Sequence, residues 1–252
     1  MISHNSFDVD NSYSIKTITN LKEFEKLKPV WDGLDKHPRP YAPFLCYDWF
    51  KLWLEHFLDG NKIFILILYK EDRAAAIAPF LIKNERFKGF RVKKVELIGN
   101  VYSPIRSFIF GSTGREEKEL YSRYIFTYFY KHFKDWDIID LYPLAEENGS
   151  FDILKAEIKQ TGLKHADYFC FGDWYLDEIE YSGEEYIANL SKKIRKDVPY
   201  CRRRLQKVNN LEFQIVKNDD SIDHYMNYYY EVYSKSWQEK EGIGPTFHRD
   251  LA

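Results

Sequence analysis

At 252 residues the chain is long enough for one large domain, or for a compact domain plus part of a second. Hydrophobic residues make up 44% and charged residues 30%, which excludes wholesale disorder and low-complexity architectures. A net charge of −2 gives the whole molecule no pull toward nucleic acid or anionic membrane, so any such partner must be held by a local patch.

After about ten polar residues, taken as a flexible N-terminus over 1–11, Tyr13 to Thr19 has strand composition. Asn20 with Glu23 three positions later opens a helix in the manner of a capping box. That helix sets Phe24, Leu27, Trp31 and Leu34 on one face and ends at Pro38, Pro40 and Pro43. A second amphipathic helix follows with Trp49, Trp53, Leu54 and Phe57. Three strand-like runs come next, Lys62 to Lys70, Arg73 to Asn84 and Arg91 to Gly99, separated by short polar turns that suit an antiparallel meander. Pro79 inside the second run requires an edge position or a bulge. The turn Arg86-Phe87-Lys88-Gly89-Phe90-Arg91 reads as a surface turn between two strands.

A helix over about Glu116 to Phe133 leads to a strand within Asp137 to Pro143. A helix from Phe151 to Thr161 and a strand from Lys164 to Phe171 then close a βααβββαβαβ series. This order predicts an α/β fold, a mixed sheet flanked by helices, over 12–172. Of the structural core, Phe24, Trp31, Trp49, Trp53, Ile65, Ile67, Ile139 and Leu141 are expected to be buried. The aromatic share of 18%, with 20 Tyr and 19 Phe, is better explained by an aromatic-rich core than by a stacking surface. A boundary falls near Gly172 and Asp173. Beyond it stand a basic helix, a strand over Leu211 to Lys217 and a helix over Ser221 to Glu241 that stacks Ile222, Tyr225, Met226, Tyr229 and Trp237. With only one strand for that helix to pack on, 173–252 is expected to be the incomplete start of a further unit.

The three cysteines lie far apart without a CxxC spacing, which argues against a disulfide framework or a zinc knuckle and fits a reducing, cytoplasmic setting. The N-terminus has no signal-peptide pattern, and the apolar runs are too short to span a bilayer. No P-loop, dinucleotide-binding, GxSxG or HExxH pattern occurs, and the seven histidines never fall at metal-ligand spacing, so no metal site is assigned. His56 and His132 read as helix-surface residues, and the paired acids at Glu116, Glu146 and Glu184 as ordinary helix-start or turn acids. No catalytic residue is assigned.

The segment that stands apart is Ser191 to Lys207, with eight cations against Asp197 alone, a local net of +7 in a chain of net −2. Leu190, Ile194, Val198, Cys201, Leu205 and Val208 recur at helical spacing, so one face is apolar and the rest cationic. Pro199 should kink or restart this helix. It is either a solvated connecting helix or an anion site for a phosphate-bearing substrate or a nucleic acid.

Several pieces in order resemble the tandem-domain GNAT acyltransferases that include FemAB-type aminoacyl transferases and CelD-like proteins of exopolysaccharide synthesis. They are Phe44 to Trp49 with Trp53, Ile77 to Phe80, Leu97 to Asn100, Trp136 to Pro143, Leu190 to Lys196 with Arg202 to Leu205, and Tyr233 to Trp237. The resemblance implies a GNAT-like mixed, largely antiparallel sheet, then a basic helix and a second GNAT-like unit that this chain holds only in part. It implies transfer of an acyl or aminoacyl group to an amino group, on a small-molecule or glycan-precursor acceptor of the cell envelope or a polysaccharide, with acyl-CoA as donor. The [RQ]xxGx[GA] turn that holds the CoA diphosphate in such proteins has no counterpart here, since Arg86 to Arg91 links two strands instead of opening a helix. No cofactor-binding residue is therefore assigned, and this chain alone is expected to be inactive. Lys192, Arg195 and Arg202 match the basic pattern and are the candidates for contacting an anionic substrate. The competing readings are a nucleic-acid-binding module, disfavoured because the rest of the surface is acidic, and a non-catalytic scaffold of the same shape.

Overall fold

The computed structural model describes residues 6–10, 12–34, 42–146, 149–172, 182–208, 214–216 and 222–237. The chain divides into two units, Met1–Cys170 and Phe171–Ala252.

The first unit is built on a mixed, largely antiparallel sheet. Its strands are β1 (Ser6–Asp10), β2 (Tyr13–Ile18), β3 (Lys62–Lys70), β4 (Arg73–Phe87), β5 (Phe90–Leu97), β6 (Ile109–Phe110) and β7 (Ile138–Asp140). They run in the order β1-β2-β3-β4-β5-β7, with β6 also paired to β4. All pairs are antiparallel except β5 with β7. Ser6–Asp10, assigned to the flexible N-terminus on composition, instead pairs antiparallel with β2 and forms one edge of the sheet. The strand expected over Lys164 to Phe171 is absent. That segment is exposed and non-regular, and the sheet ends at β7.

Alternation along the strands sends residues to two apolar layers, each closed by helices. On one face Phe64, Leu66, Phe80, Val95 and Leu97 pack beneath Ile125, Phe126 and Phe129 of α4 (Arg115–Lys131) and Leu154 of α5 (Ser150–Gln160). On the other, Ile18, Ile63, Ile65, Ile67, Ile77 and Leu81 meet α1 (Leu21–Phe24), α2 (Lys28–Leu34) and α3 (Tyr47–Phe57). The aromatic surplus fills these cores: Phe64, Phe80, Phe108 and Phe129 interlock on one side, and Phe24, Trp31, Tyr47 and Phe50 on the other.

The opening helix starts as its sequence dictates. The Glu23 amide donates to Asn20 Oδ1 at 2.9 Å, and the Glu23 carboxylate accepts from the Thr19 amide at 3.4 Å. Phe24, Leu27, Trp31 and Leu34 are all buried. Helix α3 is rotated from the expected stripe. It buries Tyr47, Phe50, Trp53 and Leu54, leaving Trp49 half-buried and Phe57 37% exposed. Both of these flank the loop after β5, where Trp49 Nε1 donates to Ser103 Oγ at 3.0 Å and Phe57 meets the Tyr102 ring. Ile139 and Leu141, expected in the core, are also half-buried, because β7 is the sheet's other edge.

Pro79 lies in neither an edge strand nor a bulge. Its carbonyl accepts from the Ile98 amide at 2.9 Å, so its ring nitrogen also faces the β5–β6 side of β4. On that side β6 pairs with Ala76 and Ile77, and β5 begins at Phe80. Proline thus occupies the seam where one neighbour gives way to the next and no donor is needed.

In the second unit, α6 (Gly183–Asn189) opens with a complete capping box. The Glu185 amide donates to Ser182 Oγ at 3.2 Å, and the Ser182 amide donates back to the Glu185 carboxylate at 2.9 Å. It leads to α7 (Lys192–Gln206) and, later, to α8 (Ile222–Ser234). Of the strand expected over Leu211 to Lys217, only 214–216 lies within the described residues, and these are non-regular. The last turns of the final expected helix, the glycines after it and Pro245 lie outside the described residues.

Candidate functional site

Seven of the eight cations singled out in the sequence lie on α7, which runs unbroken through Pro199, and the eighth, Lys207, is its C-cap. Ser191 caps its start, accepting from the Ile194 amide at 3.5 Å. At 100° per residue, Lys192, Arg195 and Arg202 fall within about 80° of arc on the helix. All three are exposed, and among the described residues no carboxylate pairs with them. Their charge is therefore available to an anion rather than spent on the fold. The apolar stripe behind them is not buried: Ile194 is 42% and Leu205 50% exposed. The apolar face that the sequence spacing defines on this helix therefore does not anchor it among the described residues. Truncating Ile194 or Leu205 to Ala should cost less than the roughly 2 kcal/mol at the bottom of the buried range, measurable by thermal melting.

The first unit holds a second constellation that the sequence reading passed over. On the face of β4, β5 and β7 beyond the cover of α1–α3, the strand alternation places charged residues. Glu96, 2% exposed, is ion-paired with Lys83 and, at 3.2 Å, with Lys94. Lys94 Nζ also reaches Asp140 at 3.0 Å and Glu85 at 3.4 Å. Burial alone would lower the Lys94 pKa, but the hydrogen bond and charge of Asp140, together with Glu96, outweigh it and hold the ammonium above the lysine range. Tyr168 Oη donates to Asp140 at 3.1 Å, and burial followed by that carboxylate pushes the phenol up to about 12. Each ionised group is paired, so the cluster holds its charges in place and offers no free base.

Where β5 and β7 part beyond Leu97 and Asp140, Arg106 fills the gap. Its amide donates to Pro143 O at 3.1 Å and its Nη1 to Leu97 O at 3.3 Å, while the guanidinium lies 4.9 Å from the Tyr142 ring centroid. Burial lowers the Arg106 pKa, with Tyr142 and Glu96 opposing it. Gly99 makes this possible: a Cβ there would stand 2.4 Å from Arg106 Nε, and its φ of +154° suits glycine. Gly99→Ala is accordingly expected to eject the guanidinium and destabilise the protein by about 1 to 3 kcal/mol, the range for an overpacked core site, read by urea unfolding.

These contacts bear on an acyl-CoA donor. A glycine-bearing turn, Gly111 to Gly114, opens a helix in this unit, with Gly114 as the N-cap of α4, although it lacks the [RQ]xxGx[GA] pattern. Its geometry does not suit a diphosphate. Ser112 Oγ accepts from the Gly114 amide at 3.0 Å and is hydrogen-bonded to the Glu117 carboxylate, and Glu116 and Glu117 supply the negative charge in the first turn. The carbonyls of Leu97 and Pro143 at the gap between the two strands are taken by Arg106. Among the described residues, neither the strand gap nor the start of α4 fits that donor. Among the described residues there is also no group of three or more His, Cys, Asp or Glu able to hold a metal, and no helix long and apolar enough to cross a membrane.

No protein-family model matches the chain, and no curated protein matches it. Among solved structures, an aminoglycoside N-acetyltransferase, AAC(6')-Iy in complex with CoA, is similar over 68% of this chain and 100% of that one, with 16% identity and a TM-score of 0.38.

Proposed function

We propose that this protein takes part in acyl transfer to an amino group, as a member of the tandem GNAT-like type, with a cell-envelope or polysaccharide precursor as the acceptor class and acyl-CoA as the donor. The reaction class rests on the ordered sequence resemblance. The observation that carries the assignment of a binding surface is the unpaired cationic arc of Lys192, Arg195 and Arg202 on α7. Arginine presents paired donors that suit a phosphate or carboxylate, and this surface is the candidate for holding the anionic part of donor or acceptor. The first unit serves as a rigid scaffold and acceptor-side surface, since its strand gap and its α4 start are both closed by the chain's own groups. The second unit is read as the opening of a second GNAT-like unit.

The test is thiol release from acetyl-CoA by the full-length protein, since this chain alone is expected to be inactive, in the presence of amino sugars and nucleotide-linked amino sugars. Release that depends on the amine is expected. Arg195→Ala with Arg202→Ala should then lower kcat/KM by about tenfold or more per arginine, because a hydrogen bond to a charged group is worth about 1.5 to 3 kcal/mol. The melting temperature should hardly move, since both side chains are exposed. Equal turnover in the double variant would remove α7 from the binding site, and no release with any amine would remove the acyltransferase reading.

A further inference from the structure

The tip of the β4–β5 hairpin has features that folding does not require. Beyond Ile82 no strand flanks β4, and beyond Lys93 none flanks β5, so among the described residues Glu85 to Val92 pair only with one another. They form a two-stranded arm projecting by about 10 Å. At its apex Phe87 faces Phe90 on one side of the ribbon, 48% and 75% exposed. Arg86 faces Arg91 on the other, both exposed, and among the described residues neither has a carboxylate partner. Like charges directly opposite each other weaken a hairpin, and two open phenyl rings gain nothing from water. The turn itself puts Lys88 at φ +49° and Gly89 at +89°, a conformation in which Asn or Gly is the low-strain choice at the first position. A third cation stands there instead, its Nζ 5.5 Å from the Phe87 ring centroid.

Three cations with no acid between Arg86 and Arg91, wrapped around two exposed phenyl groups on a convex apex, match one kind of partner. We propose that this arm is a peripheral anchor for an anionic lipid bilayer, with Phe87 and Phe90 entering the headgroup–acyl boundary and Arg86, Lys88 and Arg91 held by lipid phosphates. A bilayer supplies both an apolar layer and a negative surface at the depth of one hairpin tip. A nucleic acid would leave the phenyl groups without a role in base-edge reading, and single strands are bound in a charged groove that a convex apex lacks. With a net charge of −2 the whole chain has no pull toward such a surface, so a local cationic patch must supply it.

The experiment is vesicle flotation of the protein with phosphatidylcholine alone and with about 30 mol% phosphatidylglycerol, at low and high salt. Binding is expected with the anionic vesicles at low salt and not with the neutral ones. Phe87→Ser with Phe90→Ser should lower the bound fraction by about tenfold. Arg86→Gln with Arg91→Gln should also lower it, and because this pair of changes relieves cross-strand repulsion, its melting temperature cannot fall for want of a fold. Arg195→Ala with Arg202→Ala on α7 should lower flotation less than either pair of tip changes. The proposal is overturned if anionic vesicles do not float the protein or if the tip variants float like the parent. It is equally overturned if only the α7 variant loses binding, or if the tip changes weaken retention of a labelled oligonucleotide while vesicles are never bound.

Discussion

Trp31→Ala is expected to lower the stability of the first unit by about 3 to 5 kcal/mol, the range for emptying a large aromatic site in a packed core. Trp31 is fully buried, with its ring 4.8 Å from Phe50 and 6.0 Å from Phe24, centroid to centroid. Its Nε1 also donates to Leu45 O at 2.9 Å, tying α2 to the turn that precedes α3. Two effects are therefore combined, a cavity and an orphaned carbonyl. Trp31→Phe separates them: most of the packing stays and the hydrogen bond goes, so the loss should fall to about 1 to 3 kcal/mol. Urea unfolding followed by far-ultraviolet circular dichroism reads both. Equal losses for the two variants would mean that the hydrogen bond, and not the packing, holds the three helices to the sheet.

Glu96→Ala should cost somewhat less than the roughly 3 to 5 kcal/mol of a fully buried pair, because the cations left short of a partner are half-buried. Lys83 loses its paired carboxylate outright, and Lys94 keeps Asp140 and Glu85 but gains net positive charge around it. Glu96→Gln retains an acceptor of the same shape and should cost less. A double-mutant cycle with Lys83→Ala isolates the pair, since removing both partners should cost less than the two single changes added together. Additive losses would show that Glu96 is held by packing and not by its lysines.

The elements of the first unit were legible because they are set by local periodicity. The runs Lys62 to Lys70 and Arg73 onward are continuously apolar and meet at a short polar turn, which suits a buried hairpin. Asn20 and Glu23 mark a helix start by backbone chemistry alone. The run Leu190 to Leu205 announces a helix, but the break expected at Pro199 does not occur, since Lys192–Gln206 is one helix with the proline inside it. Where the reading failed, the deciding contact was remote in sequence. Ser6–Asp10 is polar, yet it becomes a strand because β2 offers an open edge. Lys164 to Phe171 has strand composition, yet no strand takes it up, and Tyr168 instead reaches Asp140 through its hydroxyl. Trp49 and Phe57 fit an apolar stripe on α3, but the loop after β5 draws them to the flank.

The mixed sheet, its flanking helices and the cationic helix follow from local sequence, because apolar runs, helix caps and charge runs are properties of neighbouring residues. Only the tertiary structure decided which charges are free. Lys94 and Arg202 look alike in the sequence, but strand pairing sets Lys94 against Glu96, Asp140 and Glu85, while Arg202 has no carboxylate beside it among the described residues. Likewise, Arg106 reads as one more loop cation until Gly99, Leu97 and Pro143 close around it. A charge is spent or available according to what stands within a few ångströms of it, and that distance is set by pairing between strands far apart in the chain.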